Sequence, residues 1–185
     1  MALAAINFYY QVKALALQGR VKNELLPQAV EQYQFNHKNG YPTMVYEVLE
    51  TFEVTYNAAC IVSLFCDTYE FTGGAHGTTT RASQTWNLQK LRMLQLDDLT
   101  GPGCDYREIL FAEITRQIEK EPDLYFENYS ELLRQTFDKS HFYCTPEGIV
   151  VYISNTTLPP IQAASALFNS VFRLSRDPQE TCSQM

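Results

Sequence analysis

The spacing of apolar residues changes at Pro42, and this change constrains the fold more than any other feature of the sequence. Before it, apolar side chains recur every three or four residues, which is typical of an amphipathic helix. The spacing predicts helical segments at residues 2–18 and 21–37. Pro27 predicts a kink or break in the second segment because proline lacks the amide hydrogen that a helix interior needs. Asn39-Gly40 is expected to end the helical region.

After Pro42 apolar and polar residues alternate, which is the period of a half-buried β-strand. Four successive strands with short connections are predicted at residues 46–56, 60–71, 78–88 and 91–96. Consecutive strands joined by short links indicate an antiparallel meander.

Two helices and a hairpin are predicted after the meander. Asp105 and Glu108 match a capping box at the start of the first helix. The buried stripe of that helix is expected at Ile109, Leu110, Ile114 and Ile118. A shorter helix is expected over residues 130–137, a hairpin over 142–152 and a last strand over 164–174.

The grouping of these elements predicts an α+β fold. Its core is an antiparallel meander sheet of about five or six strands, with helices packed mainly on one face. The chain has 185 residues, of which 45% are hydrophobic, and this is enough to bury a core. We therefore predict one domain over residues 1–185 with a frayed, polar tail at 175–185.

Composition excludes several classes of function. The net charge is −7, and no cluster of Lys and Arg exists to neutralise phosphates, so no nucleic-acid partner is expected. The sequence contains no run of eighteen apolar residues, so no membrane span is predicted. Because no secretory signal is recognisable at the start, the chain as it stands is expected to be cytoplasmic.

The five cysteines are predicted to be free thiols. Their number is odd and their positions are irregular, unlike a disulfide framework. No cysteine or histidine pair has zinc-ligand spacing, and His37, His76 and His141 are far apart in the sequence. We therefore expect no metal and no cofactor. Asp97-Asp98 is interpreted as turn or capping chemistry.

A glycine-rich loop, Gly73-Gly74-Ala75-His76-Gly77, lies between the second and third predicted strands. In one interpretation His76 is a general base oriented by Asp67 or Glu70, which would make the chain a hydrolase. In the other, the glycines take positive φ in a strand connection. The sequence shows no apparent nucleophile, and this favours the connection. A phosphate cradle is excluded because the loop has no lysine and precedes a strand.

Aromatic residues offer a further candidate surface. Tyr125, Phe126 and Tyr129 lie beside Pro122, next to a predicted loop, where they could stack on a glycan or anchor a protein. The alternative is that they belong to the core or its boundary, and the sequence leaves both interpretations open.

The order of motifs along the chain resembles a known family. The glycine-rich loop precedes a strand ending at Asn87-Leu88, then come Leu94-Gln-Leu-Asp-Asp-Leu99, an amphipathic helix, Phe142-Tyr143 and Thr145-Pro-Glu-Gly-Ile149. This order resembles the bacterial extracytoplasmic domain of the RsiV anti-sigma factors. It is also similar to the segment that accompanies the polysaccharide deacetylase PdaC. Residues 57–174 resemble that domain, and residues 1–56 resemble the smaller domain that precedes it.

The resemblance implies a non-catalytic binding or sensing module of the cell envelope, a domain of unknown function. Its implied partner is a protein such as lysozyme, or a cell-wall glycan, and its implied location is extracytoplasmic. The deacetylase chemistry resides in a separate domain, so no catalytic residues are implied. The candidate binding residues are Gly73, Gly74, His76, Tyr125, Phe126 and Tyr129. The alternative function is a hydrolase that uses His76 with Asp67 or Glu70.

Overall fold

The computed structural model describes residues 2–100, 106–120, 128–152 and 170–172. The chain forms two compact units. The first consists of Met1–Thr51 and Asp67–Thr80, and the second of Phe52–Cys66 and Arg81–Met185. The single domain over residues 1–185, with its division near residue 56, stays a prediction.

The α+β class is confirmed. The described helical elements are α1 (Ala2–Arg20), a π-helical turn (Val21–Leu25), α2 (Leu26–Asn39), α3 (Leu96–Thr100), α4 (Tyr106–Ile118) and α5 (Tyr129–Thr136). The described strands are β1 (Glu47–Ala58), β2 (Ile61–Phe71), β3 (Thr78–Asn87), β4 (Arg92–Leu94), β5 (Phe142–Thr145), β6 (Gly148–Val151) and β7 (Ser170–Phe172). None of the described helices is long and apolar enough to cross a membrane.

The described strands form two sheets instead of the single sheet of five or six strands that the sequence predicts. One has the order β1-β2-β3-β4 and the other the order β5-β6-β7. The first is the predicted antiparallel meander. Helices α3 to α5 separate β4 from β5 along the chain, and β5 pairs with the strand that its own tight turn brings beside it.

Two tight turns set the strand registers. Ala59 and Cys60 have φ of 49° and 59°, the positive values that a two-residue type I′ hairpin turn requires at both positions. The β5–β6 hairpin lies where the sequence predicts it. There the Thr145 hydroxyl accepts a hydrogen bond from the Glu147 N–H and donates one to the Gly148 carbonyl, both at 3.2 Å.

The main core of the second unit lies between helices and one face of the β5–β6 hairpin. Its buried members are Leu96, Tyr106, Leu110, Phe111, Ile114, Ile118, Leu133, Phe142, Cys144, Ile149 and Val151. The opposite face of the hairpin packs on Phe65 of β2. In the sheet that contains the β5–β6 hairpin, helices therefore pack on one face, as predicted.

The predicted burial of Ile109 is wrong. Ile109 is 51% exposed, whereas Leu110, Ile114 and Ile118 are buried as predicted. Phe111, also buried, widens the stripe on the other side of Leu110. A helix advances about 100° per residue, so a stripe centred on Leu110, Phe111, Ile114 and Ile118 leaves Ile109 on the opposite, solvent-facing side of the helix. Asp105, the predicted cap of α4, lies outside the described residues.

Buried hydroxyls connect β2, β3 and β5 within the second unit. Ser63 Oγ lies 2.8 Å from Thr85 Oγ1 and accepts a hydrogen bond from the Cys144 N–H at 2.8 Å. Thr55 donates its hydroxyl to the Cys144 carbonyl at 2.7 Å. Burial raises the pKa of the Cys144 thiol to about 11. The described cysteines, Cys60, Cys66 and Cys144, are free thiols as predicted.

Candidate functional site

One continuous helix forms a wall of the candidate site. Helix α1, the π-helical turn and α2 follow one another without interruption, and Arg20, Leu25 and Leu26 all keep α-helical backbone angles. The 38 residues of this helix span about 57 Å at 1.5 Å per residue. Its inner side contains the buried Leu25.

The predicted break at Pro27 is wrong. Pro27 lies in the first turn of α2, directly after the π-helical turn, where the Leu26 N–H bonds to the Val21 carbonyl. The wider turn shifts the hydrogen-bonding register by one residue before the proline. Proline is tolerated directly after such a turn, because the π-helical turn already interrupts the regular i→i−4 hydrogen bonds that a proline would break. The helix therefore continues to Asn39.

The end of the helix turns the chain back toward β1. Gly40 takes the left-handed conformation, with φ of 72°, and the Tyr41 N–H bonds to the Asn36 carbonyl at 2.9 Å, as in a Schellman cap. The buried Asn36 side chain donates to the Pro42 carbonyl and accepts from Gln32, each at 2.9 Å. These bonds hold the segment after the helix against its last turns. The predicted end at Asn39-Gly40 is confirmed.

A groove of about 750 Å³ lies between the helix and the segment that enters β1, entirely within the first unit. Its apolar lining residues are Ala14, Leu17, Val21, Leu25, Leu26, Ala29, Met44, Val45, Tyr46 and Val48. Its polar lining residues are Gln18, Lys22 and Glu50. Such a concave, largely apolar surface is the usual form of a binding site.

Two of the apolar residues at the groove are well exposed. Val45 is 75% exposed and Leu26 is 56% exposed. Exposed large apolar side chains are common singly, but a contiguous group around a groove indicates a surface that another molecule covers. The groove is thus the candidate site that the geometry of the first unit favours.

The charged groups at the groove are few. Lys22 lies on the helix wall and Glu50 on the strand wall. Glu50 is exposed on the strand and accepts a hydrogen bond from the Thr68 hydroxyl at 3.2 Å. A ligand in a groove with this lining would be held chiefly by apolar contact, and the single charges would select among ligands.

The glycine-rich loop connects β2 to β3. Gly73 and Gly74 have φ of 98° and 95°, which other residues adopt only at a cost. A Cβ atom on Gly77 would lie 2.3 Å from the ring of Tyr69. Each of these glycines therefore has a structural reason in the loop itself.

The two carboxylates predicted to orient His76, Asp67 and Glu70, lie on β2, before the loop. His76 is exposed in the loop. Glu70 accepts two hydrogen bonds from the Arg20 guanidinium, at 2.6 and 3.0 Å, and these bonds raise the pKa of Arg20. Asp67 is half-buried on β2. The pairing of His76 with Asp67 or Glu70 stays a prediction.

The other predicted site residues are placed as follows. Tyr129 is half-buried and packs against the core of the second unit. Tyr125 and Phe126 lie outside the described residues. In the part of the chain that the structure describes, no three His, Cys, Asp or Glu side chains form a metal-binding group. Asp98 caps α3 by accepting from the Gln95 N–H at 2.8 Å, and this confirms its capping role.

Sequence reasoning missed the groove. The helical stripe that includes Ala14 and Leu17 and the alternation that includes Tyr46 and Val48 were both recognisable as patterns. Neither pattern indicates that the two apolar surfaces stand apart and leave a groove between them. The signal that the sequence offered was Val45, an apolar residue that precedes β1 and belongs to neither pattern. The structure shows it to be exposed.

The part of the chain that contains the groove is similar to a known family. Residues 4–79 match the family model described as Deacetylase PdaC, and every residue that lines the groove falls within that range. No curated protein matches the chain.

A solved structure of a DUF3298 family protein from Pseudomonas aeruginosa PAO1 is also similar. The sequences are 20% identical, and the TM-score is 0.42. The similarity covers 58% of this chain and 50% of that one, so the chain spans about half the length of that protein.

Proposed function

We propose that residues 4–79 form a non-catalytic module that binds a protein partner through the groove. The observation that carries this proposal is the largely apolar lining of the groove, with exposed side chains such as Val45 and Leu26 at it. The PdaC-type match over the same residues supports an accessory role rather than a catalytic one.

The chemistry of the lining favours a protein over a glycan. A sugar presents many hydroxyl groups, and each needs a hydrogen-bond partner when it leaves water. Among the lining residues only Gln18, Lys22 and Glu50 offer polar side chains. Apolar side chains of a protein would instead gain roughly 25 cal/mol for each Å² that the groove covers.

The resemblance to RsiV-type domains suggests a more specific partner. A lysozyme-like protein is basic, and this chain has a net charge of −7, so association would be electrostatically favourable. In this proposal the module senses such a protein in the cell envelope. Gly73, Gly74, His76 and Tyr129 do not line the groove, and the proposal does not require them for binding.

A peptide selection tests the proposed function. The chain is immobilised and a displayed library of random 12-residue peptides is selected on it, with lysozyme and peptidoglycan fragments tested as defined ligands. Leu26→Glu should abolish binding of the selected peptides because it places a carboxylate at the groove. Leu15→Glu is the matched control, since Leu15 is 59% exposed on the same helix and does not line the groove.

Two outcomes would contradict the proposal. One is a selection that yields no binding peptide. The other is equal binding by both leucine variants. His76→Ala, carried through the same assay, should bind as the unsubstituted chain does. Loss of a measurable hydrolytic turnover in His76→Ala with unchanged peptide binding would instead support the hydrolase alternative.

A further inference from the structure

Strand β1 is an edge of the four-stranded sheet. Among the described strands it is hydrogen-bonded to β2 alone. It is 12 residues long, and its sequence contains no proline. An edge strand of this kind presents a row of backbone N–H and C=O groups that can pair with another chain.

The start of β1 also forms a wall of the groove. Tyr46, Val48 and Glu50 all line it, and residues two apart along a strand point to the same face. A strand added along residues 47–51 would continue that face. Its alternate side chains would then lie over the groove, while its backbone pairs with the free edge.

The charge of this stretch specifies the chemistry of the added strand. Glu47 and Glu50 lie within four residues of each other at the start of β1, and both are exposed. An opposite charge directly across a strand pair is stabilising, whereas a like charge is destabilising. Basic residues are therefore favoured in the added strand, and acidic residues are disfavoured.

We propose that the partner of the groove binds as an additional β-strand along residues 47–51, through an extended segment with apolar residues over the groove and Lys or Arg opposite Glu47 and Glu50, which lie on opposite faces of the strand. This inference rests on the proposed function and specifies its partner. A strand added in this way would use both the edge of β1 and the apolar face that lines the groove. In this mode backbone bonds supply affinity, and alternate side chains supply specificity.

An N-methyl scan of the tightest selected peptide tests strand addition. Each backbone amide of the peptide is methylated in turn, which removes one hydrogen-bond donor at a time. In an added strand, alternate amides face the partner strand. Methylation should therefore weaken binding by about tenfold or more at every second position and little at those between.

The scan separates failure of this inference from failure of the proposed function. The affinity of the peptide could respond to N-methylation without a period of two, while Leu26→Glu still abolishes its binding. That result would overturn strand addition and leave groove binding intact. A peptide whose binding survives Leu26→Glu would contradict the proposed function itself.

A charge substitution tests the basic character of the segment. The double variant Glu47→Gln, Glu50→Gln should bind the selected peptide about three- to tenfold more weakly and with less salt dependence. Glu31→Gln is the control, because Glu31 is exposed on α2 and does not line the groove. Equal affinity of all variants, or selected peptides without basic residues, would overturn the charge argument.

Discussion

Gly77→Ala is the substitution for which the structure gives the sharpest prediction. The added Cβ would lie 2.3, 2.4 and 2.5 Å from Cε2, Cζ and the hydroxyl oxygen of Tyr69. Gly77 is not among the glycines with positive φ, so the cost is steric and not conformational. Displacing the Tyr69 ring should destabilise the fold by about 1–3 kcal/mol, the usual cost of inserting a methyl group into occupied space.

Two further variants isolate the steric cause. Gly74→Ala meets no atom within 4 Å but has φ of 95°, so it should cost only the conformational strain of about 1–2 kcal/mol. Tyr69→Ala removes the ring that blocks the Cβ. Gly77→Ala should then cost less than about 0.5 kcal/mol in the Tyr69→Ala background, whereas the cost of Gly74→Ala should not change.

The assay is urea denaturation followed by circular dichroism, with free energies of unfolding compared in a double-mutant cycle. The expected coupling between positions 69 and 77 is about 1–2 kcal/mol. An equal cost of Gly77→Ala in both backgrounds would refute the steric reasoning. If the glycine-rich loop serves only to connect β2 to β3, His76→Ala should also leave the stability unchanged.

Two predictions concern pH. Burial raises the pKa of Cys144 from 9.0 to about 11, so its contribution to stability is complete below pH 9 and is lost as the pH rises through 11. Between pH 9 and 11 the unfolding free energy should fall by about 2 kcal/mol more in the unsubstituted chain than in Cys144→Ala. Parallel pH curves for the two proteins would contradict this. The hydrogen bond from Arg92 lowers the pKa of Asp98, and the Gln95 N–H adds to this effect, so the stabilisation is present above pH 3.8 and is lost as the pH falls through the lowered value. Asp98→Asn should cost about 1 kcal/mol at pH 7, and this cost should shrink as the pH falls below 3.8, as denaturation at neutral and acidic pH would show.

Local patterns in the sequence were sufficient for most of the fold. The change of period at Pro42, the Asn39-Gly40 cap and the Thr145-Pro-Glu-Gly148 turn each depend on neighbouring residues, and the structure has the corresponding elements. Of the kink or break expected at Pro27, the break is absent because a π-helical turn, which the usual rules for helices do not predict, precedes the proline.

The site depends on contacts that no local pattern specifies. Leu15 and Leu25 are leucines in one helix, yet the first is 59% exposed and the second is 6% exposed. The need for glycine at position 77 comes from a tyrosine ring eight residues earlier, across the β2–β3 connection. Sequence periodicity predicts neither the different exposure of the two leucines nor the need for glycine at position 77, because it reflects the spacing of residues and not the contacts that form in the fold.

Amide hydrogen exchange tests the central claim most directly. Exchange is measured on the whole chain with and without the tightest selected peptide. The proposed strand addition predicts new protection in residues 47–51 and on the groove side of the helix around Val21, with none in the loop over residues 72–77. Protection confined to that loop or to the second unit, or no change in residues 47–51, would contradict the account.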